Sequence, residues 1–388
     1  MSLATVTVRI AFASNPFAAP SWTDVTSLCM GFSTRRGRQH ELDRMEAGTA
    51  TITLLNTNGA LWPNNTGGAY YPNILPGKRI NIRATYNAVT YDLYTGFIEK
   101  WDPDFILKPI KGAVMKLSCV DIRKNLSRLY LNNAGYSAEL SGTRIGRLLT
   151  ALGWTDTSLD AGKSTMRATG ALADENATGH MSLVEASELG IVYQAPDGVV
   201  VFEDRHHRLI NHTTSVATFS DTGDLPFYRI FPAFDDEFIY NDVRITREGG
   251  AQQAAVDTAS ADVFGKRSLS KTGLLMTTDG EALDQANYLE SRYDNPVQRI
   301  KAIALRPDKE PATVYPKALG YDISTRIKVK LSQALIDADY HIEGISHDWE
   351  PGAPWETRWE LSGADNQAYW ALGITNLSEM GQTTVLCY

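Results

Sequence analysis

Cysteine is scarce in this sequence, and neither a long apolar run nor an excess of basic charge is present. Three cysteines, Cys29, Cys119 and Cys387, occur in 388 residues. They are too few and too far apart for a disulfide framework, and no two have the spacing of zinc ligands. We expect them to be buried thiols. No apolar run approaches the length of a membrane-spanning helix, and the N-terminus lacks the basic and apolar regions of a signal peptide.

Basic residues are outnumbered, with 37 Lys and Arg against 45 Asp and Glu, and the formal net charge is −8. Binding to nucleic acid without sequence preference needs clustered Lys and Arg, so the composition argues against it. The one basic cluster, Arg35-Arg36-Arg38, is interpreted as a solvated loop, not a phosphate-binding site.

Motifs for phosphate binding and catalysis are incomplete or missing. Gly162-Lys163-Ser164 copies the end of a phosphate-binding loop, but Thr157 occupies the position of its first glycine. No Gly-x-Ser-x-Gly elbow occurs, and no cysteine has neighbours that suggest a nucleophile. We therefore expect neither enzymatic activity nor a cofactor.

Two clusters of metal-ligand residue types are explained better without a metal. His206-His207 follows Glu203-Asp204, but neighbouring residues on a strand point to opposite faces, so both histidines cannot reach one ion without a bend. Asp235-Asp236-Glu237 lacks the further ligands of a calcium loop and is interpreted as a solvated acidic turn. The sequence therefore predicts no metal site.

One pattern occurs twice in the chain, at an offset of 244 to 248 residues. Glycine, tryptophan and proline keep the same spacing in both copies, and a tyrosine and an arginine precede each. The matched anchors are Tyr71, Arg79, Gly96, Trp101 and Pro103 in the first copy and Tyr315, Arg326, Gly344, Trp349 and Pro351 in the second. Such an offset exceeds any solenoid period and indicates duplication of a whole domain. The alternative is two unrelated strand-turn-strand units.

The first part of the chain has the pattern of short β-strands. Apolar and polar residues alternate over 6–10, 49–55 and 79–83, with turn residues between these segments. Strands at such spacing are typical of a sandwich or a barrel. Trp101 and Trp349 are then expected to be equivalent wall residues of two barrels.

The pattern becomes helical near residue 125. Ser141 is predicted to cap a helix that ends at Gly153. A second helix is predicted to begin at the capping box 182–185 and to end at Gly190. Residues 195–198 are expected to form the turn of a hairpin. This stretch indicates a small α/β domain.

The second copy is predicted to carry an insert. Residues 243–246 are expected to match the strand at 51–53, yet the following tyrosine anchor is 70 residues from Ile245 and only 19 from Ile52. The difference predicts an insert of 51 residues. Within it, residues 281–293 have the pattern of an amphipathic helix capped by Asp279, and its apolar stripe of Ala282, Ala286 and Leu289 is expected to pack on the middle domain.

Segments from both copies resemble a known family. Residues 44–56, 70–80 and 94–98 resemble the N-terminal part of minor tail proteins from long-tailed bacteriophages. Residues 342–347, with Trp355, Leu361-Ser362 and Tyr369-Trp370, are similar to the C-terminal part of the same family. The order and spacing of these segments carry the resemblance. The family implied is that of baseplate hub or tail-tip hub proteins.

The resemblance implies a mainly β fold with a smaller α/β part, in which two duplicated tube-like β-barrel domains flank a middle α/β domain. The first barrel domain is expected over residues 1–125. The middle domain is expected over 126–215, joined by the insert 247–296, and the second barrel domain over 216–246 and 297–388.

In such families three chains form a ring, and two equivalent barrels per chain give six similar units that can dock on a hexameric tail tube. The implied function is that of a structural virion protein, a trimeric hub that forms part of the channel for DNA ejection. The implied partners are the other copies of a homotrimer, the tail tube or distal tail protein, tail-tip or fibre proteins and the tape measure protein, with DNA only in transit. The implied location is the virion, at the tail tip or baseplate, after assembly in the bacterial host cytoplasm.

Two other functions remain open. A carbohydrate-binding tail protein for host recognition would use aromatics such as Trp62, Tyr70, Tyr71 and Trp101 as a sugar-stacking face, although these are expected to be core and turn residues. A tail-associated cell-wall hydrolase would need an acidic pair that is distant in sequence. Enzyme-bearing members of such families carry an appended peptidase or muramidase segment, and we expect none after Asp365.

The excess of acidic over basic residues is expected to lie on a particular surface of such a ring. A wall that conducts DNA works best without Lys and Arg that hold phosphate, and three chains of −8 each would carry −24. We expect the inner wall to be neutral or negative, lined by short polar side chains and carboxylates. The alternative is that mild acidity serves solubility alone.

Overall fold

The computed structural model of the chain describes residues 3–106, 112–223, 225–364, 368–370 and 384–386. Strands predominate in these residues, and the largest sheet contains 13 strands drawn from both ends of the chain. The other described strands form small sheets of two or three members. No described helix has the length and apolar character needed to cross a membrane.

The first part of the chain supplies seven strands of the large sheet. They are β1 (Thr5–Ile10), β2 (Thr23–Asp24), β3 (Cys29–Gly37), β4 (Thr49–Leu55), β5 (Arg79–Tyr86), β6 (Val89–Ile106) and β7 (Gly112–Val120). Their order is β3-β4-β7-β6-β5-β1-β2, and every neighbouring pair is antiparallel. Buried apolar side chains alternate with more exposed polar ones along β1 and β4, which confirms the predicted period of two.

The middle segment is an α/β unit with its own core. Its elements are α1 (Ile122–Leu126), β8 (Tyr130–Asn133), β9 (Glu139–Leu140), α2 (Ser141–Leu152), β10 (Thr157–Leu159), β11 (Thr165–Met166), β12 (Leu172–Asn176), α3 (Ala177–Glu188), β13 (Ile191–Gln194), β14 (Val200–Glu203) and α4 (His207–Asn211). Helices α1, α2 and α3 pack with β13 and β14 around a buried apolar cluster that includes Ile145, Val184 and Phe202.

The remaining elements complete the large sheet and form two separate small ones. They are β15 (Thr218–Ser220), β16 (Arg229–Ala233), β17 (Asp242–Arg247), β18 (Gln253–Val256), α5 (Thr258–Phe264), β19 (Ser268–Leu274), α6 (Asp279–Tyr293), β20 (Arg299–Leu305), α7 (Pro311–Gly320), β21 (Arg326–Leu331), β22 (Ile336–Trp349), β23 (Glu356–Gly363), β24 (Ala368–Trp370) and β25 (Thr384–Leu386), with short 3-10 helices at Thr26–Leu28 and Ser332–Ala334. In the large sheet β16, β20, β23, β22, β21 and β15 are neighbours in that order, and β22 also pairs with β3. The β3–β22 pair makes the two halves one continuous sheet.

Local sequence signals account for most helix ends. Helix α2 ends at Gly153, which has a left-handed φ of 85°, as predicted. Helix α3 begins earlier than predicted, because the Asn176 side chain accepts a hydrogen bond from the Gly179 amide and caps the helix there. The predicted start at the capping box 182–185 is therefore wrong.

Strand β17 lies outside the large sheet. It pairs with β18 and β19, which both come from the predicted insert. The expectation that residues 243–246 match 51–53 is therefore wrong, because an alternating apolar pattern predicts a strand but does not specify its partner. The insert lies between β16 and β20 instead.

Helix α6 is the amphipathic helix predicted within the insert. The Thr278 side chain, and not Asp279, caps it by accepting a hydrogen bond from the Glu281 amide. The predicted apolar stripe is buried, as expected, with Ala282, Ala286 and Leu289 at most 2% exposed. It packs mainly on the insert's own sheet, against Val243 and Ile245, and the middle segment contributes the Ala186 carbonyl, which accepts from Gln285 at 2.9 Å.

Helix α7 is buried between the cores of the two halves. Tyr315 and Leu319 belong to the core of the first half, while Val314 and Ala318 belong to the core of the second. Adjacent faces of one helix thereby connect the two cores.

None of the described sheets closes into a barrel. The pairing of the large sheet follows an open path, because β3, at one end of the first half, pairs with β22 of the second half instead of with the other end of its own half. Closed barrels within one chain are therefore absent from the described residues.

Candidate assembly surface

The two halves of the large sheet repeat one strand order. The order β3-β4-β7-β6-β5 in the first half corresponds to β16-β20-β23-β22-β21 in the second, and every step is antiparallel. The correspondence stops there, since β1 is antiparallel to β5 whereas β15 is parallel to β21.

A β-bulge in each half shows which residues of the two halves are equivalent. On β6 the register shifts between Ile98 and Lys100 opposite β7, and on β22 it shifts between Ile342 and Gly344 opposite β23. The bulged residue, which faces no residue of the neighbouring strand, is a glutamate in both cases, Glu99 and Glu343. Aligning the bulges makes Ile98-Glu99 equivalent to Ile342-Glu343.

In this register the arginine anchors coincide. Arg79 faces Phe97, and Arg326 faces His341, and these two partners directly precede the aligned isoleucines. Arg79 and Arg326 therefore hold the same place in the two halves.

The tryptophan and glycine anchors do not coincide in this register. Trp349 corresponds to Phe105, four residues from Trp101, and Gly344 corresponds to Lys100 instead of Gly96. The expected matching of the two tryptophans does not hold, because spacing along one strand carries no information about pairing with the next strand.

The tyrosine and proline anchors differ in local structure. Tyr71 is 45% exposed in the turns between β4 and β5, whereas Tyr315 is buried in α7, between β20 and β21. Pro103 lies within β6, and Pro351 follows the end of β22. The two tyrosines lie between equivalent strands, but Tyr71 is in a turn and Tyr315 is in a helix.

Strands β3 and β22 join the halves through six facing pairs, from Gly37–Gly344 to Phe32–Trp349. Gly37 has a φ of 88°, and a Cβ there would lie 2.2 Å from the Glu343 carbonyl oxygen, so only glycine permits this approach. At the other end the Phe32 and Trp349 rings stack with centroids 5.6 Å apart.

A buried charge network lies at the glycine end of this junction. The Glu343 side chain is fully buried and accepts hydrogen bonds from Arg38 Nε at 2.7 Å and from Arg208 Nη2 at 3.1 Å. Burial alone would raise the pKa of the Glu343 carboxyl, but the two guanidinium groups hold that pKa well below its usual range. Because Arg208 belongs to the middle segment, the network connects all three parts of the chain.

The basic cluster predicted to be a solvated loop is mostly buried. Arg36 donates to Asp322 at 2.7 Å and Arg38 pairs with Glu343, while Arg35 remains exposed beside Glu46. The prediction was wrong for Arg36 and Arg38, since their acidic partners lie about 300 residues away along the chain. No local pattern indicates such partners, and the neighbouring Gly37 was the only signal that the segment approaches other backbone closely.

The face of the large sheet opposite its core is polar across both halves. Ser118, Thr51, Ser33 and Asp348 face one another in a single row over four strands, and facing residues share one face of a sheet. Several basic side chains on this face have acidic neighbours: Lys100 with Asp102, Lys116 with Asp104 at 3.4 Å, Arg35 with Glu46 at 3.4 Å and Arg358 with Glu360 at 2.8 Å. We call this the open polar face.

A cavity of about 1700 Å³ lies between the insert, the middle segment and the large sheet, and its lining is rich in charged residues. Glu41 and Arg292 in this lining pair with each other at 2.8 Å. Within the described ranges, no group of three or more His, Cys, Asp or Glu residues is placed to hold a metal ion.

Three motifs considered in the sequence are occupied by internal contacts. The amides of Lys163 and Ser164 donate to the Glu188 carboxylate at 3.1 and 2.7 Å, so a side chain of the protein itself holds the position of an anion. His207 Nδ1 lies 2.7 Å from Asp160. The acidic turn is neutralised, because Arg299 pairs with Asp235 at 2.7 Å and with Glu237 at 2.9 Å.

The aromatics considered for sugar stacking are mostly partly buried against the core. Trp62, Tyr70 and Trp101 pack against the core of the first half, and only Tyr71 is largely exposed. Cys119 is buried and Cys29 partly buried, while Cys387 lies outside the described residues.

Comparisons with known proteins place this fold among tail proteins. No protein-family model matches the sequence, and no curated protein matches it either. Among solved structures, the 43 kDa tail protein of prophage MuSo2 from Shewanella oneidensis is 12% identical with a TM-score of 0.62, covering 92% of this chain and 98% of that one. The tail protein from Neisseria meningitidis MC58 is 12% identical with a TM-score of 0.61, covering 92% and 96%.

A secretion-system component has a similar fold. The E. coli c3393 protein, described as a type VI secretion system component with structural similarity to the T4 bacteriophage tail proteins gp27 and gp5, is 10% identical with a TM-score of 0.52 and covers 87% of this chain and 74% of that one. The chain therefore has the fold of phage tail and baseplate proteins, as the sequence resemblance predicted.

Proposed function

We propose that the chain is a structural component of a phage-type tail, namely a trimeric baseplate or tail-tip hub. In this role it docks on the hexameric tail tube and forms part of the channel for DNA ejection. The likeness to solved tail proteins over 92% of the chain supports the class of protein. Because those structures are described as tail proteins, a structural and non-enzymatic role is the simplest one.

The repeated strand order carries the hub proposal. Each chain supplies two five-stranded units of the same order and pairing sense, so three chains supply six similar units. A ring of three chains then approximates sixfold symmetry and fits a hexameric partner without any change of subunit.

We propose three structural parts with boundaries set by strand pairing. The first sheet unit spans residues 3–120 and the second spans 217–233 with 299–364. The middle part spans 121–216 together with the insert 234–298, which is longer than the sequence indicated because β16 and β20 flank it.

We propose the open polar face as the channel wall. Its short hydroxyl side chains and paired charges give DNA few unneutralised cations to bind. The proposed partners are the tail tube or distal tail protein, tail-tip or fibre proteins and the tape measure protein, in the virion tail.

Imaging of assembled tails by electron cryomicroscopy tests the proposal. The expected density at the tail tip contains three copies of the chain and six sheet units around the axis, with the open polar face lining the channel. A dimer or tetramer of this chain at that position contradicts the hub proposal.

A further inference from the structure

Two free sheet edges repeat the two edges that meet inside the chain. Strand β16 is the counterpart of β3, and residues 100–105 of β6 are the counterpart of the part of β22 to which β3 pairs. Among the described pairings, β16 pairs only with β20 and this part of β6 pairs only with β7. Inside the chain the corresponding edges are joined, whereas here neither edge has a partner strand within the part of the chain that the structure describes.

We propose that β16 of one copy pairs with the last part of β6 of the next copy, in antiparallel register. The β3–β22 junction is thereby repeated between chains, and the partner is a second copy of this chain, docked head to tail. This inference rests on the proposed trimeric hub and specifies the surface that closes its ring.

The register follows from the residues that face β3 and β16 on the two strands next to each of them. Phe32 faces Ile52, which faces Leu117 on β7. In the second half Ile230 faces Ile303, which faces Trp359 on β23.

The row Phe32-Ile52-Leu117 and the row Ile230-Ile303-Trp359 lie at the same distance from the aligned bulges. Leu117 faces Trp101 and Trp359 faces Ile345, and each of these partners lies three residues beyond the aligned isoleucine. Ile230 is therefore the counterpart of Phe32.

The facing pairs between chains follow from this correspondence. Phe32 faces Trp349 inside the chain, and the counterpart of Trp349 is Phe105. Ile230 of one copy therefore faces Phe105 of the next, and Phe231 faces Asp104.

The side chains at the two edges suit such a contact. Phe105 is 53% exposed on the β6 edge, and Tyr228 and Phe234 are 48% and 71% exposed beside the β16 edge. Pairing of the two edges would cover part of this exposed apolar surface, which favours the contact. Arg229 has no carboxylate partner among the described ion pairs, and in the proposed register it lies diagonally across from Asp104 of the next copy.

Two prolines make this junction weaker than the one inside the chain. Pro103 in β6 and Pro232 in β16 each lack a backbone N–H, whereas β3 and β22 contain no proline. Proline at a sheet edge limits uncontrolled pairing of isolated chains. The ring is therefore expected to form only at high local concentration of the chain.

Disulfide trapping tests the register. Ile230→Cys and Phe105→Cys are combined in the full chain, with Cys29→Ser and Cys387→Ser to remove two other thiols, and the protein is oxidised at millimolar concentration. Facing residues of an antiparallel pair are close enough for a disulfide, so the expected product on non-reducing electrophoresis is a covalent trimer. The matched control combines Ile230→Cys with Val89→Cys at the far end of β6, and no covalent trimer is expected from it.

The other outcomes overturn the junction in distinguishable ways. A trimer by light scattering that yields no cross-link from the facing pair rejects this junction but leaves the proposed hub intact. A dimer or tetramer by light scattering rejects the hub as well. A monomer that gives no covalent trimer, or a covalent dimer from Ile230→Cys alone, also overturns the proposal.

A charge-reversal experiment changes two exposed residues that lie outside the core. Asp104→Lys in the double-cysteine protein is expected to lower the yield of covalent trimer by about two- to fivefold, and adding Arg229→Glu is expected to restore it. A yield that neither falls nor recovers contradicts the proposed placement of Arg229 beside Asp104.

Discussion

At the scale of single residues, Glu343 is the charge on which the junction between the halves depends. Glu343→Gln leaves the buried guanidinium groups of Arg38 and Arg208 without their shared anion. We expect the free energy of unfolding to fall by about 3–5 kcal/mol, since removing one partner of a buried pair leaves uncompensated charge. Urea denaturation at neutral pH measures this change.

The control for Glu343 is an exposed pair in the same sheet. Glu360 bonds Arg358 at 2.8 Å, but the arginine side chain is 37% exposed. Glu360→Gln is expected to cost less than about 1 kcal/mol. Equal losses from the two variants would contradict the role assigned to the buried network.

His347 makes the junction sensitive to acid. It is buried on β22, with Nδ1 2.9 Å from Thr357 Oγ1, and burial, assisted by Arg36, lowers the pKa of His347 from 6.5 to about 3. The folded state keeps the ring neutral while the unfolded chain protonates it, so its contribution is complete above pH 6.5 and is lost as the pH falls toward 3.

Stability measured by urea denaturation from pH 7 to pH 4 checks this titration. The wild-type protein is expected to lose stability across this window, and His347→Gln should reduce the slope by up to about 1.4 kcal/mol per pH unit. His341, whose pKa burial also lowers to about 3, keeps contributing in the variant. An unchanged slope would show that His347 does not titrate in this way.

At the scale of elements, Gly37 sets how closely β3 approaches β22. Gly37→Ala places a methyl group against the Glu343 carbonyl in addition to straining a left-handed backbone. Gly352 provides the control, because its φ is 82° but nothing lies within 4 Å of its Cβ position. We expect Gly352→Ala to cost about 1–2 kcal/mol through strain and Gly37→Ala about 1–3 kcal/mol more. Thermal unfolding of both variants distinguishes clash from strain, and equal costs would contradict the close approach.

Helix α6 stabilises the insert through one buried stripe. Leu289→Ala is expected to lower the free energy of unfolding of the part that contains the insert by about 2–5 kcal/mol, because a fully buried leucine leaves a cavity. Leu283, 37% exposed on the same helix, is the matched control, and Leu283→Ala is expected to change stability by less than about 0.5 kcal/mol. Indistinguishable melting curves for the two variants would rule out this packing.

At the scale of the whole molecule, the proposed channel wall predicts weak binding to DNA. We expect no binding of the purified protein to duplex DNA at physiological salt, because Lys100, Lys116, Arg35 and Arg358 on the open polar face have acidic neighbours. A variant with Asp348→Lys and Glu360→Lys should bind DNA with an affinity that falls steeply as salt increases. Fluorescence anisotropy across a salt series measures both, and tight binding by the unmodified protein would refute the proposed wall.

The sequence by itself determined the local structure and the class of fold. A period of two predicted β1, β4 and β5, and a glycine in the left-handed conformation ended α2 at Gly153. These features depend on residues close together in the chain, so composition and spacing suffice to predict them. The order of tail-like segments likewise pointed to the fold that the solved tail proteins share.

Only the tertiary structure decided which strands pair and which charges are buried. The alternation at β17 fitted the large sheet as well as the insert's sheet, and only its partners separate the two. Arg36 and Arg38 were predicted to be solvated because Asp322 and Glu343, which neutralise them, are distant in the chain. Register depends on a one-residue bulge at Glu99 and Glu343, which shifts all later pairs while leaving sequence spacing unchanged. Pairing and burial are long-range properties, and a pattern read along one segment does not contain them.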